Sequence, residues 1–176
     1  MGDNPPLDPG LRERPASRAE AGAGLGRGGG QTGEMATRRT LRSAQAVPMA
    51  LDPTTPCPCG LPASYDACCA RFHRGEPAPT AELLMRSRYS AFAVRDADYL
   101  LRTWHPTTRP ARLVLDPRER WLRLEILGAA QGGLLDAAGE VTFRAEYAAA
   151  SRSGATQERS RFVRVDGRWA YLDAQA

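Results

Sequence analysis

Two periods of hydrophobic recurrence divide the chain after residue 80. On a helix turning about 100° per residue, Leu84, Met85, Tyr89, Ala91 and Phe92 fall on one apolar stripe. Thr80 stands where an N-cap is wanted, ahead of a helix starting at Ala81, and Glu82 sits in the first turn, where the helix dipole favours an acid. Arg88 falls inside the stripe. The preferred expectation is that it snorkels; the alternative is a guanidinium held under the fold by a carboxylate, with Asp98, Glu158 and Asp173 as the acids to test. Asp96 then starts a shorter helix with Leu100, Leu101 and Trp104 inward, Asp98 facing Arg102 one turn later, and Pro106 as its stop. His105 at that end is either a polar stop or a cation favoured by the dipole. Beyond residue 118 the period drops to two. Leu122, Leu124 and Ile126 alternate with Arg123 and Glu125, and Val141, Phe143, Ala145 and Tyr147 alternate with Thr142, Arg144 and Glu146. A third strand is expected over about 156–165, and Asp166-Gly167 predicts a hairpin into Trp169 and Tyr171. Helices first and strands afterwards predict an α+β domain over 79–174, with the helices on one face of a curved antiparallel sheet.

The first 50 residues follow neither period. They carry Gly, Ala, Pro and Arg with few large apolar side chains, including the run GAGLGRGGG, so residues 1–50 are read as a disordered tail or a mis-assigned start. Met49 opens the string MALDPTTPCPCG and is the alternative start. No segment before residue 57 has the apolar core of a signal peptide, and no window approaches the roughly 20 apolar residues of a membrane span. Five acids interleave with the seven Arg of the tail, which argues against a transit peptide. A soluble cytoplasmic protein is expected.

Charge changes this picture little. The formal net charge is +4, and all 24 cations are Arg, but the excess is spread over the whole length. Without a basic stripe or interleaved aromatics, nucleic acid has no electrostatic footprint on this sequence.

Cysteine placement changes it more. All four thiols lie in CPCGLPASYDACC, residues 57–69. A disulfide within Cys57-x-Cys59 or between the adjacent Cys68 and Cys69 would close a very small ring. Bridges across the loop are disfavoured in a reducing cytosol. A zinc ion held by Cys57, Cys59, Cys68 and Cys69 avoids both difficulties, and a closed four-sulfur shell makes the site structural. Arg71 and Arg74 are placed to offset part of its negative charge, and a metal knuckle is expected over 55–75. His73 in place of Cys69 is a weaker ligand set. The chief competitor is a redox role for the vicinal Cys68 and Cys69, or a softer metal.

The cysteine run resembles the SEC-C motif, a short zinc-binding segment found in many bacterial proteins, which implies the same four ligands and contacts with a protein partner. Gly60, Leu61, Pro62 and Ala63 stand where that motif usually has Ser-Gly-Lys. Residues 55–173 resemble the YchJ-like family of bacterial proteins, through LMRSRYSAF at 84–92, DADYLLRTWHP at 96–106 and ERSRF at 158–162. That resemblance implies a cone-shaped fold similar to nuclear transport factor two, preceded by the metal knuckle. Some relatives carry a second SEC-C motif at the C-terminal end, which residues up to Ala176 do not repeat.

Two functions follow. The preferred one is a non-catalytic adaptor whose zinc knuckle docks a protein, with a cone that holds a small ligand or dimerises through its sheet. The other is a small-molecule enzyme with an acid/base pocket in the cone, drawn from Arg88, Tyr89, Asp98, Tyr99, His105 and Glu158. Fold analogy alone assigns no chemistry to such a pocket.

Overall fold

The computed structural model describes residues 50–149 and 152–175. The glycine-rich tail and Met49 lie outside them. The chain runs through α1 (Ala70–His73), α2 (Ala81–Val94), α3 (Ala97–Arg102), β1 (Glu119–Gln131), β2 (Ala138–Ala149), β3 (Arg152–Val165) and β4 (Arg168–Gln175). The strands form one antiparallel sheet in the order β1-β2-β3-β4. Among the described residues, no helix is long and apolar enough to cross a membrane.

Helix α2 is the spine of the core. The Thr80 side chain accepts from Leu83 N at 3.2 Å, as an N-cap should, and the apolar stripe from Leu84 to Phe92 is buried against the sheet. Arg88 does not snorkel. It is 4% exposed, donates to Leu100 O and Thr103 Oγ1 at 2.8 Å each, and stacks over Trp104 and Tyr171. The helix face on which it lies is covered by α3 and β4, so its head is buried.

Asp96 caps α3 by accepting from Tyr99 N at 2.9 Å. The helix stops at Arg102, ahead of the proline, because the next residues join the sheet: Trp104 pairs in parallel with Tyr171, His105 N donates to Tyr171 O at 2.7 Å, and Tyr171 N donates to Thr103 O at 2.9 Å. Arg102 does not reach for Asp98. It donates to His73 O and stacks on Tyr99.

The strand alternation holds in β2, where Val141, Phe143 and Ala145 are fully buried. In β1 it is broken by two irregularities of register, between Trp121 and Arg123 and between Ile126 and Gly128. Each leaves one extra residue, Leu122 or Leu127, and these are 54% and 45% exposed. Leu122 therefore faces solvent, while Trp121, Leu124 and Ile126 pack on the core. Asp166-Gly167 forms the expected two-residue turn, with positive φ at both positions (49° and 78°). Gly132 has φ +80°, and a Cβ there would stand 2.6 Å from Ala81 Cβ. The missing side chain lets the β1–β2 turn dock on the start of α2, where Ala81 N donates to Gly132 O at 2.9 Å.

Candidate metal centre

The cysteine loop folds because its short limbs pair with each other. Cys57 N donates to Ala63 O at 3.1 Å, Gly60 N to Cys57 O at 3.1 Å, and Tyr65 N to Thr55 O at 2.8 Å, so Cys57 and Cys59 turn back toward the second limb. Cys68 and Cys69 lie at the entry to α1, and Cys69 is its N-cap residue. The result is a cluster of four buried Sγ atoms, all within 4.8 Å of one another. Sulfurs held at about 2.3 Å from one ion stand about 3.8 Å apart along the edges of a tetrahedron. Cys59 and Cys68 Sγ are 3.6 Å apart, Cys68 and Cys69 Sγ 3.9 Å, and all four cysteines are free thiols. The donor set fits a single cation.

Left to themselves, these sulfurs share their protons unequally. Hydrogen bonds from Cys59 and Cys69 hold Cys57 far below the ordinary thiol range. The same contact with Cys57 pushes Cys59 up to about 12 and also raises Cys69, while burial raises Cys68. Ionising all four is favourable only around a cation, which reverses this local logic.

The cluster is tied to α2 by several contacts. Ser90 Oγ lies 3.7 Å from Cys57 Sγ, and Arg86 donates to Cys59 O at 3.1 Å while its Nε bonds Glu82 at 2.8 Å. Arg86 thus reaches the backbone of a cysteine from outside the knuckle. Arg71 and Arg74, the residues expected to offset the charge, turn to Glu76 at 3.5 Å and Asp66 at 2.6 Å. Phe72 on α1 is fully buried and belongs to the core of the sheet domain. His73 is engaged elsewhere: its Nε2–H donates to Ser87 O at 2.9 Å, which leaves Nδ1 to accept from Tyr65 OH at 2.7 Å. Neither ring nitrogen is available to a metal. Burial lowers the pKa of His73, and burial raises Tyr65 to about 12.

The six residues expected to share a pocket do not all meet. Arg88 and Glu158 line one small cavity, together with Met85, Phe92, Trp104, Phe143, Ser160 and Tyr171. Tyr89 is buried on another side, edge-on to Trp121 at 5.8 Å. Tyr99 packs on His73 at 4.4 Å between ring centres and donates to Ser87 Oγ at 2.6 Å, and burial pushes it up to about 12. Asp98 is exposed, and His105 bonds Thr107 Oγ1 at 2.7 Å in a surface turn. Inside the cavity, Ser160 donates to Glu158 Oε1 at 2.5 Å and Tyr171 OH to the same oxygen at 3.3 Å. Ser160 and Tyr171 were not among the expected residues. A signal existed in β3, whose inward positions Thr156, Glu158 and Ser160 are as polar as its outward Gln157, Arg159 and Arg161.

Comparison with known proteins agrees with this fold. Residues 80–174 match the family model of the YchJ middle domain, described as NTF2-like, that is, like nuclear transport factor two. A UPF0225 protein of Streptomyces avermitilis is 56% identical over 142 residues, covering 80% of this chain and 98% of the relative. Another from Streptomyces coelicolor is 61% identical over 124 residues, covering 70% and 97%. Among solved structures, the chain is similar to a SEC-C motif containing protein from Rhodopseudomonas palustris, with TM-score 0.59 and 32% identity over 68% of this chain and 97% of that one. A sec-c motif containing protein from Psychrobacter arcticus gives TM-score 0.58 at 27% identity, over 69% and 82%.

Proposed function

The chain belongs to the UPF0225 family, with a YchJ-type middle domain of NTF2-like fold, and from that membership we propose that its cysteine centre holds a structural zinc ion and presents a docking surface to a protein partner. The observation that carries the reading is the set of four buried sulfurs, all within 4.8 Å of one another and two pairs of them near the edge length of a zinc tetrahedron. Four thiolates close the coordination shell of zinc and leave no position for water or substrate. Both solved neighbours are SEC-C motif containing proteins, which supports the same assignment. Four clustered free thiols suit a reducing compartment, the bacterial cytoplasm in this reading.

The zinc shapes a surface. Gly60, Pro62, Ala63, Asp66 and Ala67 are exposed around the buried sulfurs, on short paired limbs that a bound ion would fix further. The Arg88-lined cavity of the cone is about 20 Å³, too small for a small-molecule substrate, whose sites run to roughly 300–1,000 Å³. The test compares captures by the intact chain with those by an Ala63→Glu, Ala67→Glu variant that retains its metal. The expected result is a partner lost from the variant alone. Identical captures from both proteins overturn the docking surface.

A further inference from the structure

We propose that the cavity inside the cone is a binding site for one neutral, water-sized hydrogen-bond acceptor, a resident water molecule held by the indole N–H of Trp104. Trp104 is 5% exposed and lines the cavity, yet its Nε1 has no hydrogen-bond partner among the described residues. Buried indole N–H groups ordinarily find an acceptor, and an unmet buried donor is costly. Trp169 shows the ordinary solution in the same domain: its Nε1 donates to Pro79 O at 3.1 Å. Around Trp104 the neighbouring lining groups are Arg88, Glu158, Ser160 and Tyr171, so a polar guest has several further groups within the same small space.

Size and charge define the guest. A cavity of about 20 Å³ exceeds the roughly 10–15 Å³ that admits one water and leaves little more. An anion would meet the Glu158 carboxylate and a cation the Arg88 guanidinium, both buried in the same wall, so a neutral molecule is selected. The inference is independent of the zinc and of the docking surface, since it uses only residues of the cone.

The test uses the full, metal-loaded chain labelled with ¹⁵N. Magnetisation transfer from water to the indole N–H of Trp104 is measured by a rotating-frame experiment that separates dipolar contact from proton exchange. Trp104→Phe, which keeps a ring against Arg88 and Tyr171, identifies the signal by its loss. A dipolar cross-peak at the water frequency is expected for Trp104, and its absence from a slowly exchanging indole overturns the proposal. If Trp104→Phe does not fold, a high-resolution crystal structure of the natural chain decides instead. Density for a water within about 3 Å of Nε1 is the expected result. An empty cavity, or a charged ligand in it, is the contrary one.

Discussion

Replacing Phe72 with Ala removes the side chain through which the cysteine knuckle enters the core of the cone. Phe72 lies three residues beyond Cys69, is 1% exposed, and packs in the cluster that contains Leu84, Tyr99, Phe143 and Phe162. Truncating a buried Phe costs about 3–5 kcal/mol, from lost transfer energy and the cavity left behind. Unfolding entropy of about 2.1 cal/mol/K per residue, over about 120 described residues, converts this to a fall of roughly 12–20 °C in Tm. All three tryptophans, Trp104, Trp121 and Trp169, belong to the cone, so their fluorescence during urea or thermal unfolding follows that part alone. Arg74→Ala is the contrast: its ion pair with Asp66 is more than half exposed on both sides and contributes less than about 1 kcal/mol. With metal in excess, a loss below about 1 kcal/mol in Phe72→Ala would refute the reasoning and show a cone whose core does not depend on α1.

Two further predictions test the packing around this junction. Arg88→Ala removes charged hydrogen bonds to Leu100 O and Thr103 Oγ1 and should destabilise the cone by about 3 kcal/mol or more in denaturant titration, with Arg88→Met recovering part through packing. An effect of Arg88→Ala within the range of surface substitutions would argue that the guanidinium contributes nothing net. His73 is neutral in the fold because burial lowers its pKa from the ordinary 6.5, so as pH falls below about 6.5 the unfolded chain takes up a proton that the native chain does not. Stability from this group is fully present above that value and declines toward the lower folded pKa. Tm should fall between pH 7 and 5.5 in the natural chain and fall less in His73→Gln, with metal content followed in parallel; equal slopes would remove His73 from the account.

Local chemistry was the part of the architecture most legible in the residues. Thr80 and Asp96 cap the helices expected of them because an N-cap depends on a few neighbouring atoms, and Asp166-Gly167 fixes its turn for the same reason. The four sulfurs were legible because they are close in sequence, and short limbs have few ways to arrange them. What stayed hidden depends on distant packing. Leu122 looks inward by strict alternation, and only the pairing of β1 with β2 shows the extra residue that turns it out. Arg88 looks like a snorkelling side chain until α3 and β4 close over it. Phe72 reads as part of a short polar knuckle, yet its ring is buried in the larger core. The pocket residues scattered because helical and strand positions from 88 to 171 converge only through sheet register, which sets Val141 beside Ser160 and Phe143 beside Glu158.

The zinc content of the chain, measured by elemental analysis after purification without added metal, bears most directly on the account. The cluster of Cys57, Cys59, Cys68 and Cys69 predicts one zinc per chain in the natural protein and a marked loss in Cys59→Ser. A natural chain carrying only a small fraction of one zinc, or another metal in its place, would contradict it.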